Sequence, residues 1–263
     1  MWKLYNKHWK KANKKHIQTY VTYLHNENLK ATTIRAHLSA IAFYFQTKMD
    51  FDPTDSFSTK KLLKYYSKLD KSKSTRLPIT QNILNKLMLH VDTCYADIYY
   101  KHAFIALYST MFHLALRISE VSAYSSSFSH ALELRDVKNY NNMLFITLRS
   151  HKHSTKQARY RVSQKVSLYS HIRNWIKTRG NEQGYLFSHP NNIPFSRDFI
   201  LKNLNQDLEE IGLNSSLFNT HSFRKGRATS MATQGYSTEQ IKLIGRWKTD
   251  AYSTYIQPKV IPL

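Results

Sequence analysis

Residues 220–227 read THSFRKGR, and the reading of these eight positions decides what the rest of the chain must build. His221 and Arg224 stand at i and i+3, so on a helix they share one face. Lys225 and Arg227 add two more cations to the same turn. The chain already carries a net charge of +22, from 39 Lys+Arg against 17 Asp+Glu, so further cations beside a histidine call for an explanation. One is an anionic partner lying along a solvated face. The sharper one is a phosphate that is held and then attacked.

Working outward, HSFRKGRATSMATQG reads as a helix ending at Gly235. STEQIKLIG follows with a capping box from Ser237 to Gln240 and ends at Gly245. Next comes GRWKTDAYSTYI (245–256), with Trp247 and, eight residues later, Tyr255. Upstream, Ser196 caps a helix over 196–211 stopped by Gly212, and another helix over 167–178 is stopped by Gly180. MLFITLRS (143–150) and a run within 158–168 alternate or run apolar as strands, with HKHSTKQ as the turn between them. AFIALYSTMFHLALRI (103–118), interrupted by Ser109, Thr110 and His113, is too short and polar to span a bilayer and reads as a buried helix over about 97–114. Thr80 caps a helix over 81–91. Just past the buried helix, LALRISEV places Arg117 three residues before Glu120.

The first part of the chain reads as all helical. Ile17, Tyr20, Val21 and Leu24 recur at helical spacing. Thr32 or Thr33 is expected to cap a second helix with the stripe Ile34, Leu38, Ile41, Ala42 and Phe45. Pro53 and three aspartates make 50–56 a turn, and a lysine-rich helix follows near 58–69. DKSKSTRLPIT (70–80) is the linker candidate, dividing a helical domain at 1–72 from a mixed domain at 73–263. The order of helices, a small antiparallel sheet and more helices makes the fold α+β and mainly helical.

Composition narrows the partners. At 263 residues, with 41% hydrophobic residues, the chain is globular. A cationic excess spread along its whole length favours a polyanion, nucleic acid first, because phosphates reward distributed cations by releasing counterions. No basic amphipathic helix supports a membrane surface. A single cysteine, Cys94, excludes a disulfide framework and fits a reducing compartment; its apolar helical context makes the thiol inert. The basic N-terminus lacks the apolar run of a signal peptide.

The three segments LALRISEV, HSFRKGRAT and GRWKTDAYSTYI, in this order and spacing, resemble the tyrosine recombinase (phage integrase) family. The match is nearest to the GRW-x-(S/T)-D-A-(aromatic)-x-x-Y-I ending of mobile-element recombinases, and it covers about 77–258. The resemblance implies a DNA breaking-rejoining fold, with the first part as a helical, DNA-clamping domain. It implies site-specific recombination or integration through a 3′-phosphotyrosyl intermediate, without cofactor, metal or ATP. Arg117 and Arg224 match the family's arginine pair, His221 its histidine, and Tyr255 its nucleophile. Glu120 orients an arginine or the histidine. A hairpin lysine serves as general acid; Lys152 is the best match and Lys156 the alternative. The family's second His/Trp falls at Arg246 by strict offset, but GRW variants put it at Trp247, leaving Arg246 as an extra phosphate contact. Tyr252, three residues before Tyr255, is the rival nucleophile. Ala115 stands where the family commonly has glycine. Implied partners are double-stranded DNA with inverted half-sites, a second copy on each site and a tetramer in the synapse. The compartment is wherever the DNA is: nucleus in a eukaryote, cytoplasm in a prokaryote or for a virus.

Taken singly, each residue has a plainer explanation: a surface ion pair for Arg117, a capping histidine at 221, one of 18 packing tyrosines at 255. HKH (151–153) lacks a third metal ligand nearby, and DLEE (207–210) falls on an amphipathic helix. A silent DNA-binding protein on the same fold, a type IB topoisomerase and a metal-dependent nuclease are the competing functions.

Overall fold

The computed structural model describes residues 13–70, 76–123, 130–149, 157–247, 249 and 252–253. The chain divides into two compact units, Met1–Ser74 and Thr75–Leu263.

Among its described residues the first unit holds three helices, α1 (Lys14–Asn26), α2 (Ala31–Met49) and α3 (Phe57–Leu69). Asn13 caps α1 by accepting from the His16 N–H, and its buried face is Ile17, Tyr20, Val21 and Leu24. The start of α2 differs from expectation. It begins at Ala31 without a side-chain cap of its own, because Asp70 at the end of α3 accepts the Ala31 N–H at 2.6 Å. A carboxylate at a helix N-terminus satisfies an orphan donor and complements the dipole, so neither Thr32 nor Thr33 is needed as a cap. Ala42 is only half-buried; Ala31 takes its place in the stripe.

The second unit opens with α4 (Gln81–Cys94), capped by Thr80, and α5 (Ile98–His113), capped by Asp97. Nine consecutive or near-consecutive α5 residues from Ala103 to Phe112 are buried, so α5 is the central core helix. Cys94, read from the sequence as an inert thiol in an apolar helical context, lies exposed at the end of α4. Strands β1 (Val137–Tyr140), β2 (Met143–Leu148) and β3 (Ala158–Ser163) form an antiparallel sheet in that order. β3 ends at Ser163, and α6 (Ser167–Arg179) starts four residues later. β1 was not expected: three of its four residues are exposed, so no apolar alternation marks it. It is joined to β2 through Asn141 and Asn142, both at positive φ, as a two-residue hairpin turn requires.

Helices α7 (Arg197–Glu210), α8 (His221–Thr233) and α9 (Thr238–Gly245) follow, α7 capped by Ser196 and α9 by the Ser237–Gln240 box. Residues 76–80, read as linker in the sequence, are instead bound into this unit, with Ile79 fully buried. The mainly helical α+β class stands as expected. Among the described residues no helix is long and apolar enough to cross a membrane.

Candidate active site

The site forms where three chain segments end on one another: the loop after α5, the start of α8 and the end of α9. The loop is shaped by Ala115, whose φ of 47° is left-handed. With the Ala115 N–H on the Phe112 carbonyl and the Leu116 N–H on the Met111 carbonyl, the chain reverses sharply out of α5. Arg117 follows in extended conformation, and a short 3-10 turn, Ile118–Glu120, brings the Glu120 carboxylate back under it. Glu120 is 1% exposed. It accepts the Arg117 N–H at 2.7 Å, Arg117 Nη1 at 3.3 Å and Arg246 Nη2 at 2.7 Å. A buried carboxylate is tolerable only when paired in this way.

α8 is held against the core by Phe223, which stacks on Tyr108 at 5.4 Å. Tyr108 in turn donates to Asp207 Oδ2 at 2.6 Å, and Tyr95 donates to Oδ1 at 3.0 Å. Burial raises the Asp207 carboxyl and pushes the Tyr108 phenol well above its ordinary range. On this anchored helix His221 is the first residue, its N–H donated to Asn219 Oδ1 at 2.9 Å, and its ring is half-buried. One turn on, Arg224 is 1% exposed. Its Nη1 donates to the Ala115 carbonyl at 2.5 Å and its Nη2 to the Gly245 carbonyl. Its guanidinium lies 4.3 Å above the Trp247 ring. Two of the five N–H bonds are thereby fixed, and so is the plane of the fork.

α9 ends through Arg246 in the left-handed region (φ 56°), with the Trp247 N–H on the Lys242 carbonyl at 3.0 Å. The Trp247 ring folds back over Gly245 so closely that a Cβ there would overlap it. Arg246 points inward, toward Glu120 and the Leu114 carbonyl (3.4 Å), with Tyr160 of β3 beneath its guanidinium at 5.7 Å. Burial lowers the Arg246 pKa from its usual value. Tyr160 also donates to the Ile244 carbonyl at 3.2 Å, tying the sheet to the end of α9.

The structure therefore gathers Arg117, Glu120, Arg224, Arg246 and Trp247 into one linked group, with His221 a turn away. Two guanidinium groups, those of Arg117 and Arg246, meet the Glu120 carboxylate, and Arg224, held by backbone carbonyls, adds a third cation, leaving a net cationic centre suited to a phosphate. Tyr252 packs beside Trp247, ring centroids 6.3 Å apart, and its hydroxyl donates to Thr238 Oγ1 at 3.0 Å. Lys152, Lys156 and Tyr255 lie outside the described residues. Tyr160 was not singled out in the sequence; one of 18 tyrosines on a short strand carries no local signal. Arg227, also on α8, sits 5.9 Å over the Phe112 ring, with its pKa lowered by burial. Among the described residues no group of three or more His, Cys, Asp or Glu side chains is placed to hold a metal ion.

The comparisons with known proteins point one way. Residues 78–258 match the model of the phage integrase family, and residues 2–50 match the phage integrase N-terminal SAM-like domain. No curated protein matches. Among solved structures, the chain is similar to XerH site-specific recombinase bound to palindromic difH substrate in a post-cleavage complex. The TM-score there is 0.69 at 14% identity, covering 94% of this chain and 69% of that one. It is similar to the Tn1549 transposon integrase in complex with circular intermediate DNA, with TM-score 0.63 at 14% identity, covering 94% and 81%. It also resembles a lambda integrase dimer bound to a COC′ core site, with TM-score 0.59 at 14% identity, covering 93% and 64%. At such identities the structures establish the fold, and the family model, which spans more than half of the chain, establishes the lineage: the chain belongs to the phage integrase family, the tyrosine-type DNA recombinases.

Proposed function

We propose that this protein cuts and rejoins double-stranded DNA at specific sites through a covalent 3′-phosphotyrosyl intermediate, with Tyr255 as nucleophile. The Tyr255 oxygen forms a bond to phosphorus as the P–O5′ bond breaks, and the leaving 5′-oxygen takes a proton from Lys152 or Lys156. A 5′-hydroxyl from a second strand then reverses the step, so the number of phosphodiester bonds is conserved and no ATP is consumed. Arg117 and Arg224 neutralise the charge that develops on the phosphorane, in the place a metal would otherwise fill, and His221 assists proton transfer. Trp247 holds the Arg224 guanidinium from its open face. Glu120 and Arg246 act on the site through Arg117.

One observation carries this reading: the fork of Arg224 is locked between the Ala115 and Gly245 carbonyls, two residues from Arg117 and two from Trp247. Donors so prearranged contribute most where charge appears only in the transition state. The Tyr252 hydroxyl donates to Thr238 on α9, which favours Tyr255 over its neighbour. The palindromic substrate of one similar structure and the DNA-bound dimer of another support inverted half-sites with two copies per site; pairing of two such sites would bring four copies into the synapse. The protein then works in whichever compartment houses that DNA.

The test uses a pool of nicked duplexes with a randomised core, incubated with the protein in chelator, with SDS-resistant protein–DNA adducts captured and sequenced. The expected result is a recovered consensus with inverted symmetry and an adduct lost in Tyr255→Phe but kept in Tyr252→Phe. Arg224→Ala should slow adduct formation by about 10²–10³-fold. DNA binding without any adduct identifies a silent binder, and an adduct abolished by chelator identifies metal-dependent chemistry.

A further inference from the structure

The segment Arg76–Ile79 enters the second unit across the first turns of α8. The Leu77 N–H donates to the Leu217 carbonyl at 2.7 Å, and the Ile79 N–H donates to the Ser222 carbonyl at 2.9 Å. Arg76 Nη1 donates to the Phe218 carbonyl at 3.0 Å and to the Ser216 carbonyl. From the helix side, Lys225 Nζ donates to the Arg76 carbonyl at 2.9 Å. Gly226 completes the junction: a Cβ there would overlap the Ile79 carbonyl, so only glycine lets the segment lie this close. Immediately afterwards Thr80 caps α4, so the segment is anchored downstream as well.

The contacts fall at 216, 217, 218, 222, 225 and 226, on both sides of His221 and Arg224 in the chain. A linker need only span; this one is hydrogen-bonded into the wall of the site. The last residue of the first unit, Ser74, precedes Arg76 by two positions in the chain. Any load that reaches the second unit along the backbone therefore arrives at α8 before it arrives at any other helix.

We propose that residues 76–79 form a strap that positions His221 and Arg224 through α8, with Lys225 and Gly226 as positioning residues, and that engagement of the first unit on DNA tunes cleavage through this strap. The proposal rests on the recombinase reading above. A displacement of the catalytic arginine by about 1 Å is enough to slow chemistry on the order of a hundredfold, so small movements of the strap have large effects.

The experiment uses the full chain and four variants: Lys225→Met, Lys225→Arg, Gly226→Ala and an insertion of two glycines after Ser74. Single-turnover adduct formation and affinity are measured on the nicked duplex recovered by the covalent selection. Amide hydrogen exchange across 221–226 is measured without DNA. Lys225→Met is expected to slow adduct formation by roughly tenfold at saturating protein, with affinity within about twofold, and to speed exchange at 221–226 but not in α6. Lys225→Arg restores both, and Gly226→Ala slows adduct formation further. The insertion, which leaves every strap contact intact, also slows adduct formation. Wild-type rates and wild-type exchange in Lys225→Met overturn the strap. Slowing in Lys225→Met with none in the insertion overturns its coupling to the first unit. If the wild-type protein gives no adduct at all, the recombinase reading fails, and the exchange measurement still decides whether the strap holds α8.

Discussion

Ala115 occupies a backbone region that costs a residue with a Cβ on the order of 1 kcal/mol, and it does so because its carbonyl must face Arg224. The acceptor is backbone, so the contact with Arg224 does not depend on the side chain, although the Ala115 methyl is fully buried. Ala115→Gly is expected to change stability by less than about 1 kcal/mol, the relief of strain offsetting the lost burial and the added freedom of the unfolded chain, with adduct formation unchanged. Thermal melting followed by circular dichroism checks the first part and the covalent assay the second. The residue that resists change is Glu120. It is buried, with two arginines on it, and truncating it would strand the Arg246 charge in a dry setting.

The end of α9 shows how an element can trade its own propensity for a site. Gly245 is the last helical residue, and alanine there would favour the helix by about 1 kcal/mol. The same methyl group would strike the Trp247 ring and lift it from Arg224. Gly245→Ala is therefore expected to keep or raise helicity while slowing adduct formation by roughly tenfold, about 1.4 kcal/mol of lost orientation. Far-UV circular dichroism beside single-turnover kinetics separates the two effects. Elements whose cause is local were legible in the sequence: the stripe Ile17, Tyr20, Val21 and Leu24, and the caps Thr80, Ser196 and Ser237, depend on residues within a turn or two. The Asp70 cap on α2 was not, since its partner lies 39 residues away. Nor was β1, whose exposed polar residues form a strand only because β2 offers a partner. The site divides in the same way. The shared face of His221 and Arg224 follows from helical spacing, while their roles rest on the family resemblance. The inward turn of Arg246 onto Glu120, 126 residues distant, depends on tertiary packing that no local pattern records.

At the scale of the whole molecule, the core encloses a histidine that folding keeps neutral. Burial, then Arg227 and His171, depress His113 from its usual value to about 4. Between about pH 6.5 and pH 4 the unfolded chain holds a proton at this site that the folded chain lacks, so stability rises with pH through that window and is lost as pH falls. The slope approaches about 1.4 kcal/mol per pH unit and the total about 3 kcal/mol. His171, lowered by its own burial, acts in the same direction; Asp207, raised by burial, opposes both at the acid end. Urea unfolding at pH 7 and pH 5 should show a smaller loss for His113→Gln, which cannot charge, than for the wild-type protein.

The seat of Arg224, walled by two carbonyl oxygens and an indole face, is in effect a receptor for a planar cation. Cutting that side chain back to alanine would leave a mould of its head group, and free guanidinium salts added at millimolar strength should fill the mould and revive the variant in a saturable manner. Methylammonium, round where the mould is flat, should not.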